Sequence, residues 1–180
     1  MLRSVIGGLA LTVLLGGLQV QAGEVVVTGV HICCPLCVDG LNEAFKETAG
    51  VSEVKVEKDA KKVTFTAADA DAARAGVQAL ARAGYAGKAV HGGEELPFPG
   101  SRRRDAKANE VTIRGLHNCC GGCAKTIEAA LKGVAGVEKV SLDNRVATVT
   151  GKEVSQKALI DALHAVGLHG NIPMPRVNQQ

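Results

Sequence analysis

The stretches "HICCPLC" at residues 31–37 and "HNCCGGC" at residues 117–123 hold all six cysteines of the 180-residue chain. In each, a histidine stands two residues before a cysteine pair, and a third cysteine follows three residues after the pair. An offset of 86 residues matches Gly29 with Gly115, His31 with His117, Cys33 with Cys119, Cys34 with Cys120 and Cys37 with Cys123. The same offset pairs Gly50-Val51 with Gly136-Val137 and Val54 with Val140; farther on it falls to 83, where Leu80 meets Leu163 and Gly84 meets Gly167. The chain is therefore one unit written twice, with three residues expected to be missing from a turn of the second copy, the kind of change a duplicated fold tolerates.

Around each cluster the periodicity switches in a fixed order. Glu24 to Val30 is valine-rich and ends at the loop, as a strand does. Cys37, Leu41, Phe45 and Thr48 then recur at helical spacing, matched by Cys123, Ile127, Leu131 and Val134, and Gly50 and Gly136 are expected to stop these helices. Val54 and Val56, then Val63 and Phe65 after the turn Lys58 to Lys61, read as a hairpin; Val140, Leu142, Val146 or Ala147, and Val149 answer them. A second helix carries Ala73, Val77 and Leu80, or Leu159, Leu163 and Val166, and short last strands are expected at Lys88 to His91 and Gly170 to Pro173. The order strand, helix, strand, strand, helix, strand predicts an α+β fold of two tandem ferredoxin-like βαββαβ sandwiches.

Residues 1–22 place Arg3 before an apolar run from Val5 to Leu18 and end on Val20-Gln21-Ala22, the pattern of a cleaved secretory signal. Glycines break the run, and it is short of the roughly 20 residues a membrane span needs. The expected organisation is a signal at 1–22, a first domain at 23–91, a linker at 92–109, a second domain at 110–175 and a tail at 176–180. The mature protein is expected in the periplasm or secreted, without stable membrane insertion. Arg102, Arg103 and Arg104 in the linker read as a solvated charge run.

Of 21 basic residues one, Arg3, lies in the signal, which leaves 20 against 18 acidic ones. That balance gives no strongly charged surface, and three Phe, one Tyr and no Trp offer few platforms for base stacking, so nucleic acid is not an expected partner. No phosphate-cradling loop and no set of nucleophile, base and orienting group presents itself, so no enzyme is expected.

Each copy resembles the heavy-metal-associated domain, the fold of small copper chaperones, mercury-scavenging periplasmic proteins and the amino-terminal modules of metal-transporting P-type ATPases. The resemblance is carried by Cys34-x-x-Cys37 and Cys120-x-x-Cys123 between first strand and first helix, by Gly50-Val51 and Gly136-Val137, and by Gly84-Tyr85 and Gly167-Leu168 after the second helix. Where that family reads Gly-Met-x-Cys-x-x-Cys, this chain has His31-Ile32-Cys33-Cys34 and His117-Asn118-Cys119-Cys120. The resemblance implies soft-metal binding at Cys34 with Cys37 and at Cys120 with Cys123, in the linear geometry that suits Cu(I) or Hg(II).

Helix N-termini favour thiolate over thiol, and Pro35 places Cys34 at the N-cap and Cys37 at the third helical position. Gly121-Gly122 in the second copy predicts a more adaptable site there. Thiolates select soft ions, with Cu(I) foremost and Zn(II) or Hg(II) as alternatives. Adding Cys33 and His31, or Cys119 and His117, gives a Cys3His set of the kind that holds tetrahedral zinc. In extended backbone adjacent cysteines point to opposite sides, so the sequence predicts a two-cysteine site with an auxiliary His/Cys pair. His31 and His117 are read as ligands or as supports of ligands. His91, His164 and His169 are read as surface residues, although His169 lies in the loop that the resemblance places near the metal; Tyr85, in the equivalent loop, could shield the first site and is read as core packing.

Three functions compete. The first is an exported protein that captures or transfers a soft metal ion, with a metal-transporting protein or another thiolate-rich domain as partner. The second is a thiol-disulfide oxidoreductase using the Cys-x-x-Cys pairs. The third is a pair of interaction modules stapled by structural zinc.

Overall fold

The structure is a computed structural model that describes residues 22–100 and 105–173. All but the last residue of the expected signal, Arg102 to Arg104, and the tail lie outside the described residues. The first unit runs β1 (Gly23–Thr28), α1 (Pro35–Phe45), β2 (Val51–Glu57), β3 (Lys62–Ala67), α2 (Ala70–Ala83), β4 (Lys88–His91) and β5 (Glu94–Leu96). The second runs β6 (Lys107–Arg114), α3 (Gly121–Lys132), β7 (Val137–Asp143), β8 (Val146–Ser155) and α4 (Gln156–Ala165). The first sheet has the order β2-β3-β1-β4-β5 and the second β6-β8-β7, with every pairing antiparallel. The α+β class and the ferredoxin-like order follow the reading of the sequence.

Four details differ from it. The strand expected at Gly170 to Pro173 is reduced to one bridge, Arg114 with Asn171. Part of the expected linker is folded: β5 pairs with β4, and Phe98 is buried with the first core. The three missing residues are not lost from one turn. Val56 pairs with Val63 and Leu142 with Ala147, so two are lost at the hairpin and the third before α4.

Fourth, Gly50 and Gly136 do not cap the first helices, which end at Phe45 and Lys132. They open β2 and β7, where their carbonyls accept from Ala68 N and Lys152 N, each at 2.8 Å. Little space for a side chain remains: a Cβ on Gly50 would stand 2.8 Å from Ala72 Cβ, and one on Gly136 would run into the Lys152 carbonyl.

The helices form where the stripes predicted. Cys37, Leu41 and Phe45 are the buried face of α1, and Cys123, Ile127 and Leu131 that of α3. Each meets a sheet face lined by Val25, Val27, Val63 and Phe65, or by Val111, Ile113, Ala147 and Val149. Full burial of one such leucine, isoleucine or phenylalanine contributes about 1.5–3 kcal/mol. Asp69 caps α2 by accepting from Ala72 N at 2.7 Å, and Ser155 caps α4 by accepting from Ala158 N at 3.0 Å. No helix among the described residues is long and apolar enough to cross a membrane.

The two units are docked about a pseudo-twofold axis. Gly84 and Gly167 end α2 and α4 with φ of 94° and 77°, the left-handed conformation that glycine adopts without cost. Tyr85 N and Leu168 N then reach back to Leu80 O and Leu163 O, both at 3.0 Å. This turn leaves the carbonyl of each glycine facing the other unit. His169 N donates to Gly84 O at 2.8 Å, and Ala86 N donates to Gly167 O at 3.0 Å, a reciprocal exchange with the Tyr85–Leu168 bridge at its centre.

A Cβ on Gly167 would meet the Gly29 carbonyl and His31 N. Gly167→Ala is therefore expected to cost at least about 1 kcal/mol from backbone conformation alone and more from the clash. Urea unfolding followed by a signal from each unit checks this: the variant should lose stability and the two transitions should separate.

Candidate metal centre

The pseudo-twofold axis brings the two cysteine loops face to face. In each loop the cysteine before the helix is extended, Cys34 with φ −152° and ψ 170° and Cys120 with φ −158° and ψ 169°, and each is the N-cap of its helix. Pro35 takes the first helical position of α1 as expected. Both helix N-termini, with their positive dipole ends, thus converge on the cysteines.

The expectation of a two-cysteine site with Cys33 turned away is not met. Cys33 Sγ lies 3.6 Å from Cys37 Sγ, and Cys34 Sγ lies 3.7 Å from it, so all three thiols of the first loop gather. The chain bends at Cys34 and enters α1 at Pro35, so the alternation of an extended strand does not carry through the loop. In the second loop Cys119 and Cys120 lie 3.7 and 3.8 Å from Cys123.

Contacts between the loops are as short as those within them. Cys33 is 3.5 Å from Cys120 and 3.6 Å from Cys123, while Cys119 is 3.7 Å from Cys34 and 3.8 Å from Cys37. Cys37 and Cys123 form the buried floor, Cys34, Cys119 and Cys120 are half-buried, and Cys33 is exposed at the rim. All six are free thiols.

Four overlapping groups of donors have their ligand atoms within 4.8 Å of one another: Cys37, His117, Cys119 and Cys123; His31, Cys33 and Cys123; Cys33, Cys34 and Cys37; and Cys34, Cys119 and Cys120. Every candidate ligand named from the sequence is in one of these groups, but the histidines do not stay with their own loops alone. His31 joins Cys123 of the second unit, and His117 joins Cys37 of the first.

The electrostatics divide the thiols. At Cys120 the backbone amide of Cys123, then the Cys33 thiol, pull the pKa down to about 6. Burial, then hydrogen bonds to neighbouring thiols, push Cys33 and Cys119 well above the ordinary value. A bound metal ion would override this order, because a coordinating thiol is deprotonated outright.

The two histidines are held differently. Tyr85 is buried as expected, yet it does more than fill the core. Its ring stacks on His117 with centroids 4.3 Å apart, its O–H donates to Cys37 O at 3.0 Å, and its oxygen lies 2.9 Å from His117 Nε2. Burial first, then the surrounding thiols, raise the phenol's pKa, so it stays protonated. The single phenol proton goes to the carbonyl, which cannot donate. The phenol oxygen must then accept from His117 Nε2–H, and the tautomer this fixes leaves the lone pair on Nδ1. Burial, then Arg145 and His31, lower the pKa of His117 to about 4, which keeps the ring neutral near pH 7.

Leu168 stands where the repeat would require a second tyrosine, and it has no group to offer. Accordingly, the buried Nε2 of His31 has no hydrogen-bond partner among the described residues. The hairpin turns also differ. Arg145 donates through Nε to Leu116 O at 3.0 Å and through Nη2 to Ala83 O and Arg82 O at 3.3 and 3.4 Å, tying the second unit to the end of α2. Its counterpart by position in the turn is Lys61.

The reading of His169 as a surface residue is wrong. It is 7% exposed, and its Nδ1 lies 2.9 Å from His164 Nε2, because its backbone is part of the contact between units. Sequence reasoning also missed the roles of Tyr85 and Arg145. The signal available was that the only tyrosine follows the glycine that matches Gly167.

Tyr85→Phe keeps the stacked ring and removes the hydroxyl. The expected result is a loss of about 1–2 kcal/mol in the metal-free protein, measured by urea unfolding. Nitrogen shifts of His117 should report the Nε2–H tautomer in the wild type and a mixture in the variant.

Comparison with known proteins places a name on part of this geometry. The heavy-metal-associated domain model matches residues 110–169. A solved structure described as "Crosstalk between Cu(I) and Zn(II) homeostasis" is 27% identical, with a TM-score of 0.33, over 37% of this chain and 100% of its own. The solution structure of the N-terminal soluble domains of Bacillus subtilis CopA is 20% identical, with a TM-score of 0.34, over 85% of this chain and 95% of its own. No significant match was found among curated proteins. Strands β2-β3-β1 of the first unit repeat the order β7-β8-β6 of the second, and the family match falls on the second unit.

Proposed function

We propose that the chain is an exported soft-metal-ion binding protein that captures Cu(I) and passes it on by thiolate exchange. The observation that carries this reading is the convergence of six free thiols and two helix N-termini on one place. Sulfurs sharing one tetrahedral ion with bonds of about 2.3 Å lie about 3.8 Å apart. The thiols here are separated by 3.5 to 3.8 Å, so they are spaced to take an ion with little rearrangement. Exchange would begin at the rim, where Cys33 is exposed and Cys120 carries the most acidic thiol. A metal-transporting protein or another thiolate-rich domain is the partner this chemistry would serve. Export rests on the pattern of residues 1–22 alone.

Cys34, Cys37, Cys120 and Cys123 are proposed as ligands together with Cys33 and Cys119. His31, with its unpartnered nitrogen, is proposed as an additional donor, and His117 as a donor through Nδ1. A second reading follows from the group of Cys37, His117, Cys119 and Cys123, since Cys3His is a common closed zinc arrangement.

The test is elemental analysis and X-ray absorption on protein purified without residues 1–22 under anaerobic reduction. Copper with sulfur-dominated neighbours and a folded apo form is the expected result. Zinc with three sulfurs and one nitrogen, and an apo form that unfolds, would favour the structural reading. No affinity for either metal, with reversible pairing of the cysteines, would leave the redox reading.

A further inference from the structure

We infer that the six thiols bind Cu(I) as one polynuclear thiolate-bridged centre shared by both units, with no copper belonging to one loop alone. The inference rests on the soft-metal reading above and adds the number of ions and the way the sulfurs are shared.

The residues that carry it are Cys33 and Cys119, which stand outside the Cys-x-x-Cys pairs. Each touches thiols of both loops: Cys33 meets Cys37 in its own loop and Cys120 and Cys123 in the other, and Cys119 meets Cys123 in its own and Cys34 and Cys37 in the other. One linear ion per loop would leave these two thiols without a metal and in contact with sulfurs that have one. Linear coordination would also stretch each pair to about 4.6 Å, twice the bond length of about 2.3 Å, whereas Cys34 and Cys37 lie at 3.7 Å and Cys120 and Cys123 at 3.8 Å.

Sharing resolves both problems. Of the four overlapping donor groups, each contains at least two cysteines, and Cys33, Cys34, Cys37, Cys119 and Cys123 each belong to two groups. That is the connectivity of bridging ligands. If each Cu(I) takes three thiolates and each thiolate bridges two ions, six thiolates hold about four Cu(I). Six thiol protons leave on loading, and the centre keeps a net charge of about −2, facing two helix N-termini that favour negative charge.

The experiment is titration of reduced, metal-free protein with Cu(I) against a chromophoric Cu(I) chelator, read by native mass spectrometry and by copper X-ray absorption. The expected result is cooperative loading to about four Cu(I) per single chain, a short copper–copper vector, and visible emission of the kind shielded Cu(I)–thiolate clusters give. The Cys33→Ser/Cys119→Ser double variant should fall to about two Cu(I), one for each remaining pair, and lose the copper–copper vector. Circular dichroism of the variant reports whether it is folded, and the wild-type vector tests the inference independently of it.

Two Cu(I) per wild-type chain with two sulfur neighbours each and no copper–copper vector would overturn the shared centre and leave the soft-metal reading intact. A cluster found only in a mass of two chains would overturn it too. No Cu(I) binding at all would overturn both.

Discussion

The exchange of backbone hydrogen bonds between Gly84 and Gly167 is the contact on which the rest of the centre depends. Each glycine terminates a helix in a conformation that few other residues accept, and the turn it makes leaves its carbonyl facing the other unit. Because His169 and Ala86 answer reciprocally, the two units meet in one register, and the loops that precede α1 and α3 arrive opposite each other. The cysteines do not create this arrangement. Backbone geometry about 50 residues downstream of each loop does.

Once the loops meet, the two halves no longer have equal work. Tyr85 and Arg145 belong to one side of the pseudo-twofold axis, where they fix the His117 ring and tie the second unit to the end of α2. Leu168 and Lys61 stand at the matching positions of the other side, where His31 keeps an unused nitrogen. Duplication supplied two copies of a thiol loop, and divergence made one histidine a supported group and left the other with a donor atom to spare. The same docking grades the exposure of the thiols: Cys37 and Cys123 are enclosed on the floor, and Cys33 is exposed at the rim.

Much of this was legible in the sequence, because the signals were local. The helical stripes, the hairpin, the proline at the start of α1 and the repeat itself depend on neighbours within a turn or a strand, and the second unit, which carries the same signals, matches the heavy-metal-associated domain model. What failed was non-local. Alternation predicted that Cys33 would face away from Cys34, but a loop closing onto a second loop does not follow strand alternation. His169 read as a surface residue because its backbone partner, Gly84, lies in the other unit. Tyr85 read as core because its partner, His117, lies 32 residues away. Gly50 and Gly136 read as helix stops because a glycine after an apolar stripe usually is one, while here they make room for the following strand.

The contact between the two units is what brings the two cysteine loops face to face. The most direct measurement is of nuclear Overhauser contacts between the units in reduced, metal-free protein. The account predicts contacts between the Tyr85 and His117 rings, between the amides around Gly84 and His169, and between those around Ala86 and Gly167, together with tumbling of one body. Two units that tumble independently, with none of these contacts, would contradict it.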